Sequence, residues 1–375
     1  MNRYYIIAGE ASGDVHAANL MKRLKARDQE AVFRFWGGDR MAAEGGEPVR
    51  HIDELSFMGF WEVLVNIRPI LRNLRFCKQD IVSWKPDVLI LVDYPGFNLR
   101  IAEYAHKRGI RVIYYISPMI WAWKQSRIKK IKRSVDRMLV IVPFEKDFYA
   151  SLNYEVSFPG NPLLDEIAPV RNSPEYAGFR NANNLSDKPI VALLPGSRKQ
   201  EISRKLGTMA DMAEFFPDYQ FVVAAVTAHD KDFYLEFAGN AGISLVYDQT
   251  YALLANAEAA LVASGTAALE TALFNVPQVV CYKAGKISYA IARRLVKVRY
   301  ISLVNLIMDK PVVREMVQDG FTREALRDEL ERLLYNSAYR KQMQEDYRQL
   351  EAKLGGKGAS DRAAREIIEF TGVQQ

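Results

Sequence analysis

Two stretches of this sequence place small and hydroxyl-bearing residues between an apolar run and a helical one. In LVASGTAALE (261–270), Ser264, Gly265 and Thr266 interrupt the two runs, and Glu270 follows one helical turn later. A helix N-terminus offers unpaired N–H groups and a positive dipole end to phosphate oxygens, and Glu270 suits the vicinal hydroxyls of a ribose. An ordinary N-cap with a first-turn acid explains the same residues, so both interpretations stay open.

The second stretch, Leu193–Ile202, has the same layout. Gly196 frees the loop, while Ser197 and Arg198 supply a hydroxyl, backbone donors and a guanidinium fork where a helix begins. That set of groups suits a diphosphate, although a plain strand-to-helix turn would also explain it. Two such loops in one half of the chain support each other.

The loop GEASGD (9–14) occupies the corresponding place near the N-terminus. It is neither a GxGxxG motif nor a P-loop. Gly9 and Gly13 allow a ligand to approach the backbone and Ser12 adds a hydroxyl, but the two acids of the loop would repel phosphate. We therefore predict a hydroxyl-rich sugar at this loop.

Asp93 stands at the end of the apolar run DVLILVD (87–93), where a carboxylate of a buried parallel strand faces a ligand. It is the predicted general base, and His16 on the neighbouring loop is the second choice. The alternative is that Asp93 only caps the turn that follows.

The segment 56–75 is unusually apolar and ends in arginines. Its composition favours an interfacial membrane contact or an acyl-chain pocket over a core helix or a dimer contact, which remain the alternatives. The predicted membrane or acyl contacts are Phe60, Trp61, Leu64, Ile67, Leu71 and Leu74. In the same segment we predict substrate binding by Met58 and Glu62.

The formal charge of +6 indicates an anionic partner. Lys124–Arg137 holds seven Lys or Arg against one acid, and Lys283–Tyr300 holds six and no acid. Beside the apolar segment, the two tracts favour anionic lipid headgroups. Nucleic acid is not expected, because no RNP, KH or helix-turn-helix signature is present.

No metal and no cofactor are predicted. The four histidines lack neighbours at metal-ligand spacing, and no second acidic cluster is available to hold Mg²⁺. The two cysteines are far apart, which argues for a reducing compartment. We also expect neither a secretory signal nor a membrane-spanning segment, because no run of apolar residues is long enough.

Short apolar runs alternate with amphipathic ones in both halves of the chain. Predicted strands include 4–8, 111–116, 220–226, 243–248, 259–263 and 277–283, and a predicted helix follows the first loop from Val15. A stretch rich in Asn, Ser, Asp and Pro at 168–188 reads as a linker. The fold prediction is therefore α/β, with two Rossmann-like parallel-sheet domains that face a cleft.

The assembled motifs resemble the lipid-A-disaccharide synthase family. The resemblance runs, in order, through AGEASGD, FMGFWEVL, KPDVLILVDYPGFN, YYISPMIWAWKQSR, VPFEKDFY, GNPLLD, LLPGSR, LVASGTAALE, RRLVK and ISLVNLI. Any one of these motifs is weak, whereas ten in the same order are specific and cover most of the chain.

The resemblance implies an inverting glycosyltransferase of the GT-B type. Such enzymes transfer 2,3-diacylglucosamine from UDP to the 6-hydroxyl of 2,3-diacylglucosamine 1-phosphate, at the cytoplasmic face of the inner membrane of Gram-negative bacteria. The resemblance also implies a homodimer. The expected organisation is an acceptor and membrane domain over 1–167, a UDP-sugar domain over 189–340, and a helical tail over 341–375 that packs across domains or subunits.

The resemblance carries over residue by residue. Asp93 matches the family's catalytic base, Arg198 and Asn305 match positions linked to donor binding or activity, and the loop from Ser264 to Glu270 matches the nucleotide loop. The chain departs from the family at Gly96, where relatives often carry a second acid, and at Asn161, where many carry histidine. We therefore assign no role to a second carboxylate and give Asn161 a binding role at most.

Two rival interpretations remain. One is another enzyme of the same fold, such as a UDP-sugar 2-epimerase or a muramyl-lipid glycosyltransferase, which would use the nucleotide loops. An epimerase, however, needs no acyl pocket. A non-catalytic peripheral membrane protein would use the basic tracts and the apolar segment, and it would need neither Asp93 nor the nucleotide loops.

Overall fold

The chain forms two compact units, each built around one parallel β-sheet. The units are Met1–Asp165 with Leu354–Gln375, and Glu166–Lys353. The computed structural model describes residues 2–55, 67–239, 241–285, 289, 294 and 298–372.

The sheet of the first unit has six parallel strands in the order β3-β2-β1-β4-β5-β6. Its strands are β1 (Asn2–Ala8), β2 (Ala31–Gly37), β3 (Glu47–His51), β4 (Val88–Val92), β5 (Arg111–Tyr115) and β6 (Arg137–Leu139). Its helices are α1 (Ala11–Arg27), α2 (Asp39–Ala43), α3 (Ile67–Trp84), α4 (Pro95–His106), α5 (Ile128–Ser134), α6 (Phe144–Ser151), the start of α7 (Leu163–Val170) and, from the end of the chain, α17 (Ala359–Thr371).

Helices cover both faces of this sheet. Tyr5 and Ile7 of β1 belong to one apolar cluster, which α3 and α4 complete, while Tyr4 and Ile6 belong to the other, which α1 and α17 complete. Every residue of β4 is buried, as its uninterrupted apolar sequence predicts for a central parallel strand.

The second unit repeats this design with six parallel strands in the order β12-β11-β10-β7-β8-β9. Its strands are β7 (Ile190–Leu194), β8 (Gln220–Ala225), β9 (Ser244–Tyr247), β10 (Ala257–Ala263), β11 (Gln278–Tyr282) and β12 (Arg314–Val317). Its helices after α7 are α8 (Phe179–Ala182), α9 (Lys199–Ala210), α10 (Met212–Phe215), α11 (Lys231–Ala238), α12 (Thr250–Ala255), α13 (Thr266–Leu273), α14 (Leu303–Met308), α15 (Arg323–Tyr335) and α16 (Ser337–Lys353).

The predicted pair of parallel α/β sheets is confirmed. Each sheet starts with a central strand, adds the next two strands on one side and then the remaining three on the other. The direction of winding therefore reverses between β1 and β4, and again between β7 and β10. Ligands of such sheets bind beyond the strand carboxyl ends at this reversal, which is where the four predicted site loops begin.

Several element boundaries differ from the sequence prediction. Helix α1 begins at Ala11 rather than Val15, because the small residues of the predicted loop already form its first turn. The prediction also missed β2, β3 and β12. Strands β3 and β12 are short, lie at the sheet edges and carry little apolar signal.

The stretch 168–188 contains short helical elements rather than an extended link. It includes the end of α7, a 3₁₀ turn at Pro174–Gly178 and α8. Helices α15, α16 and α17 occupy most of the residues from Arg323 to Thr371, and the last of them, α17, packs on α1, with the Arg27 and Asp361 side chains paired at 2.6 Å. The functional role predicted for each domain stays a prediction.

The part of the predicted membrane segment that the structure describes is one end of helix α3. Phe60, Trp61 and Leu64 lie outside the described residues, as do Met58 and Glu62, and the side chain of Ile67 is not described. The membrane or acyl contact predicted for Leu74 is wrong: this side chain is only 5% exposed and packs in the core with Cys77 and Ile81, because it lies on the sheet-facing side of α3. Leu71 is 54% exposed, among three exposed arginines. Within the described residues, no helix combines the length and apolar character that a bilayer span requires.

Candidate active site

Asp93 lies directly after β4, at the reversal of winding in the first sheet. The backbone of Asp93 is left-handed with φ of 45°, and that of Tyr94 is left-handed with φ of 46°. Each non-glycine residue in this region costs roughly 1–3 kcal/mol and persists only where the surroundings enforce it. The strain turns the chain sharply at the carboxyl end of the strand, so that Asp93 is half-buried instead of continuing the sheet.

Two buried side chains enforce this turn. The Asn98 amide donates a hydrogen bond of 2.9 Å to the Asp93 carbonyl oxygen, and the Tyr114 hydroxyl donates one of 2.5 Å to the same oxygen. Asn98 also reaches the carbonyl of Val92 at 3.2 Å. Because Asn98 lies on α4 and Tyr114 on β5, two neighbouring elements fix the position of Asp93.

The charges around Asp93 suit a proton acceptor at neutral pH. The pKa of its carboxyl is raised from 3.8 to about 7, first by burial and then by the negative charge of Glu10. The Tyr94 backbone N–H and the positive charges of His16 and Arg127 act in the opposite direction. A carboxyl with this pKa is close to half ionised at pH 7, which is the condition that favours a general base.

The loop between β1 and α1 lies beside this turn. A Cβ atom on Gly9 would lie 2.4 Å from the Tyr94 ring, so the glycine is required by the close approach of that ring. A Cβ atom on Gly13 would meet Ala8 at 3.5 Å, and Gly13 therefore faces the sheet. Ser12 is exposed in the first turn of α1. Of the three residues predicted to contact a ligand at this loop, Ser12 is therefore the one whose side chain is exposed to solvent.

Asp14 has a structural role that the sequence analysis missed. Its buried carboxylate accepts hydrogen bonds from the backbone N–H groups of Gly38 at 2.6 Å, Arg40 at 3.1 Å and Met41 at 3.2 Å. These donors lie at the start of α2, so Asp14 caps that helix. Its carboxylate is thus engaged within the fold, at the start of α2. His16, the second-choice base, is buried one helical turn after Ser12.

In the second unit, the Gly196 loop follows β7. Gly196 has φ of 106°, and a Cβ atom there would lie 2.4 Å from Oε2 of Glu201. Oε1 of the same carboxylate lies 3.3 Å from Nη1 of Arg198. Ser197 and Arg198 are exposed at the start of α9, whose N-cap makes no side-chain hydrogen bond. The loop therefore presents an exposed guanidinium and helix N–H groups, with Glu201 already placed against it.

The loop after β10 also opens onto an uncapped helix. Gly265 has φ of 135° and is the N-cap of α13, and neither Ser264 nor Thr266 caps the helix as the sequence analysis considered. The Ser264 hydroxyl instead donates to the Ile301 carbonyl at 3.3 Å. Gly265 and Thr266 are exposed, so the first N–H groups of α13 face an open position.

Glu270, one turn into α13, is half-buried beside a tyrosine. The Tyr251 hydroxyl lies 3.3 Å from Oε1 of Glu270 and 3.4 Å from Oε2 of Glu166. The sequence predicted Glu270 as a hydroxyl binder but gave no sign of Tyr251 or Glu166, which precede it in the chain. These two side chains fix the orientation of the Glu270 carboxylate.

Asn305 does not have a free amide to offer a ligand. It is 1% exposed; its Nδ2 donates to Val313 O and to Glu315 Oε1, and its Oδ1 accepts from Val313 N, all at 2.9 Å. Glu315 in turn accepts from the N–H groups of Ile301 and Ser302 at 2.9 Å. The Ile301 carbonyl accepts a hydrogen bond from the Ser264 hydroxyl, so Asn305 supports the loop that carries Ser264 through Glu315 and Ile301.

Asn161 is engaged in a similar way within the first unit. Its Nδ2 donates to Ile141 O and its Oδ1 accepts from Leu163 N, both at 3.0 Å, and the side chain is buried. Any effect of Asn161 on a substrate would pass through the loop that it holds.

Glu145, which the sequence analysis did not single out, organises the segment after β5. It is 2% exposed, and it accepts from the Ser117 hydroxyl at 2.5 Å and from the Trp121 indole N–H at 3.1 Å. Burial raises the pKa of this carboxyl to about 7, against the effect of those hydrogen bonds. Its position in VPFEKDFY offered no spacing signal, because its two side-chain partners are more than twenty residues away.

Among the described side chains, no group of three or more His, Cys, Asp or Glu residues could hold a metal ion. Both cysteines are buried and unpaired with each other. Independence of metal stays a prediction.

Solved structures share this fold. A UDP-N-acetylglucosamine 2-epimerase from Neisseria meningitidis bound to UDP-GlcNAc matches with a TM-score of 0.69 at 12% identity, over 98% of this chain and 100% of that one. A calicheamicin glycosyltransferase matches with a TM-score of 0.62 at 16% identity, over 99% of both chains. At these identities the likeness concerns the fold alone, which is that of GT-B glycosyltransferases and related epimerases.

Sequence relatives are more specific. Lipid-A-disaccharide synthases from Myxococcus xanthus and Geobacter sulfurreducens are 40% and 36% identical to this chain, over 98% and 100% of it and over 97% and 98% of their own lengths. The family profile described as lipid-A-disaccharide synthetase matches residues 4–368. The chain therefore belongs to the lipid-A-disaccharide synthase family of glycosyltransferases.

Proposed function

We propose that this chain transfers 2,3-diacylglucosamine from UDP to the 6-hydroxyl of 2,3-diacylglucosamine 1-phosphate. The products are the β-(1→6)-linked disaccharide 1-phosphate and UDP. The family assignment supports the reaction, and the observation that carries the mechanism is the position of Asp93. A carboxyl with a pKa of about 7 ends a central strand, where a parallel sheet binds its ligand.

In the proposed reaction Asp93 accepts the proton of the acceptor 6-hydroxyl. The oxygen forms a bond to the anomeric carbon of the donor as the bond from that carbon to the diphosphate breaks, and the electron pair of the broken bond leaves with UDP. A single displacement inverts the anomeric centre and requires no covalent enzyme intermediate. Base assistance of this kind is worth about 10² to 10⁴ in rate.

The second unit supplies the proposed donor site. Arg198 and the N–H groups at the starts of α9 and α13 are suited to the developing charge of the diphosphate, and fixed donors of this kind often make the largest contribution to catalysis. Glu270 is the proposed partner of the ribose hydroxyls. Arg198 would exchange its contact with Glu201 for one with the donor.

We also propose that the protein binds the cytoplasmic face of the inner membrane through the exposed side of α3. Leu71 is surrounded there by the exposed Arg68, Arg72 and Arg75, an arrangement that suits a surface of anionic lipid.

The homodimer is a separate proposal. The mass of the protein in solution tests it, since one chain has a mass of 42.7 kDa.

The direct test is incubation with UDP-2,3-diacylglucosamine and 2,3-diacylglucosamine 1-phosphate, followed by mass spectrometry. We expect a disaccharide monophosphate and one equivalent of UDP. Epimerised donor without any disaccharide would identify the rival epimerase, and tight UDP binding without a product would also contradict the proposal.

Asp93→Asn is expected to lower kcat by about a hundredfold or more, because the amide cannot accept the proton. For the wild type, kcat/KM should rise with pH and level off above about 7, since the ionised carboxyl is the active form. Near-normal turnover of the variant, or a pH profile without this limb, would remove Asp93 from the mechanism.

A stability measurement provides the control for the variant. Because folding raises the pKa of Asp93, its carboxyl contributes to stability fully below pH 3.8, and the contribution is lost as the pH rises through about 7. As the pH rises from 3.8 to about 7, the free energy of unfolding of Asp93→Asn should therefore increase relative to that of the wild type.

Asn305→Ala should raise the KM for the UDP donor by about tenfold or more. The change leaves Glu315 and the backbone of Val313 with unmatched polar groups, which loosens the segment that holds Ser264. Steady-state kinetics with each substrate varied in turn checks this, and the KM for the acceptor should stay the same. Equal increases in both KM values would show general loss of structure instead of support for the nucleotide loop.

Leu71→Ser and Leu74→Ser form a matched pair for the membrane proposal. Leu71→Ser should weaken binding to vesicles of anionic phospholipid by about tenfold and leave the thermal midpoint unchanged, because the side chain is exposed. Leu74→Ser removes a core side chain and should cost about 3 kcal/mol or more of unfolding free energy. Unchanged vesicle binding of Leu71→Ser in co-sedimentation would contradict the proposed contact.

A further inference from the structure

The basic tract Lys124–Arg137 is not one uniform surface. Lys130 is paired with Glu103 at 2.8 Å, Arg133 is paired with the same carboxylate, and Arg137 lies 3.7 Å from Glu366. These cations have structural partners. Two others, on α5, are exposed to solvent: Lys129 and Lys132. The remaining two, Lys124 and Arg127, precede α5. They differ from the other five because both lie on the ring of Trp123.

Lys124 and Arg127 are held close together on one aromatic ring. Nζ of Lys124 lies 4.3 Å from the centre of the Trp123 ring, and Cζ of Arg127 lies 5.4 Å from it. Among the described residues, neither cation has an acid within ion-pair distance. Burial lowers the pKa of Lys124, and the charge of Arg127 lowers it further. The two cations repel each other, and no paired acid offsets this repulsion. An anion that binds both of them would therefore stabilise the pair.

Arg127 is close enough to the proposed base for its charge to act on that carboxyl. Arg127 is half-buried, and its charge acts on both Asp93 and the Tyr114 hydroxyl, which bonds to the Asp93 carbonyl. An anion bound by the pair would therefore lie near the reacting hydroxyl.

The backbone that carries the pair is fixed in advance. Lys124 is left-handed with φ of 52° and precedes the 3₁₀ turn Gln125–Arg127. The segment before it is tied to the buried Glu145 through Ser117 and Trp121. Preorganised charges of this kind bind an anion without the cost of ordering a flexible loop.

We propose that Lys124 and Arg127 bind the phosphate of the acceptor, the 1-phosphate of 2,3-diacylglucosamine 1-phosphate. The inference rests on the proposed function, because that function supplies a phosphomonoester acceptor. The guanidinium fork and the ammonium group complement a phosphate that carries nearly two negative charges. The phosphate and the C6 hydroxymethyl group are attached to one pyranose ring, so a fixed phosphate positions that ring and limits the places that the 6-hydroxyl can reach near Asp93.

The test compares the phosphorylated acceptor with 2,3-diacylglucosamine that lacks the phosphate. For the wild type, kcat/KM should favour the phosphorylated acceptor. In the double variant Lys124→Ala/Arg127→Ala this preference should fall by about 10- to 100-fold, mainly through a higher KM for the phosphorylated acceptor. Any effect of Arg127 on the ionisation of Asp93 applies to both acceptors equally, so it does not alter the preference between them, and the KM for the donor should stay the same.

Lys129→Ala/Lys132→Ala is the matched control, since it removes the same charge from the same tract. It should keep the wild-type preference between the two acceptors, because any effect on membrane contact applies to both of them equally. Arg127→Lys keeps the positive charge but loses the guanidinium fork. Its preference for the phosphorylated acceptor should lie between that of the wild type and that of the double variant.

Several results would overturn the inference. The wild type could show no preference for the phosphorylated acceptor, or the Lys124/Arg127 variant could lose activity equally with both acceptors. It would also fail if that variant kept the preference and lost only its binding to anionic vesicles, which would assign the pair to membrane headgroups. If the wild type formed no disaccharide from either acceptor, the proposed function itself would fail.

Discussion

The reversal of winding in a parallel sheet is the constraint on which the rest of this structure depends. Where β1 and β4 lie side by side, the helices that follow them pack on opposite faces of the sheet, so the chain segments beyond their carboxyl ends diverge and leave room for a ligand. The same reversal between β7 and β10 opens the second site. Each unit thus brings together two loops that are distant in sequence, and the proposed catalytic and binding groups lie on these loops.

Electrostatics gives the two sites different characters. The first site places a half-buried acid among charges of both signs, so the ionisation of Asp93 responds to Glu10, His16 and Arg127 together. The second site uses exposed helix starts and one guanidinium, which suits a ligand whose charge is permanent. A transfer reaction needs both, because a proton must be accepted on one substrate while a diphosphate leaves the other.

Much of the fold was predictable because buried parallel strands such as β4 and β7 read as unbroken apolar runs. The site loops were predictable for a related reason: small residues and turns follow those runs directly. The supports of the site were not. Asn98, Tyr114, Glu145 and Glu315 act through hydrogen bonds to partners on other elements, and no local spacing reveals such contacts. Leu74 was misassigned because helical periodicity alone does not say which apolar stripe faces the sheet.

The return of the chain to the first unit has a consequence for biosynthesis. Helix α17 covers α1, yet the whole second unit lies between them in the chain. The ribosome must therefore make residues 166–353 before the first sheet receives its last covering helix. Until residues 359–371 have been made, Ala17, Leu20 and their neighbours lack part of their apolar cover.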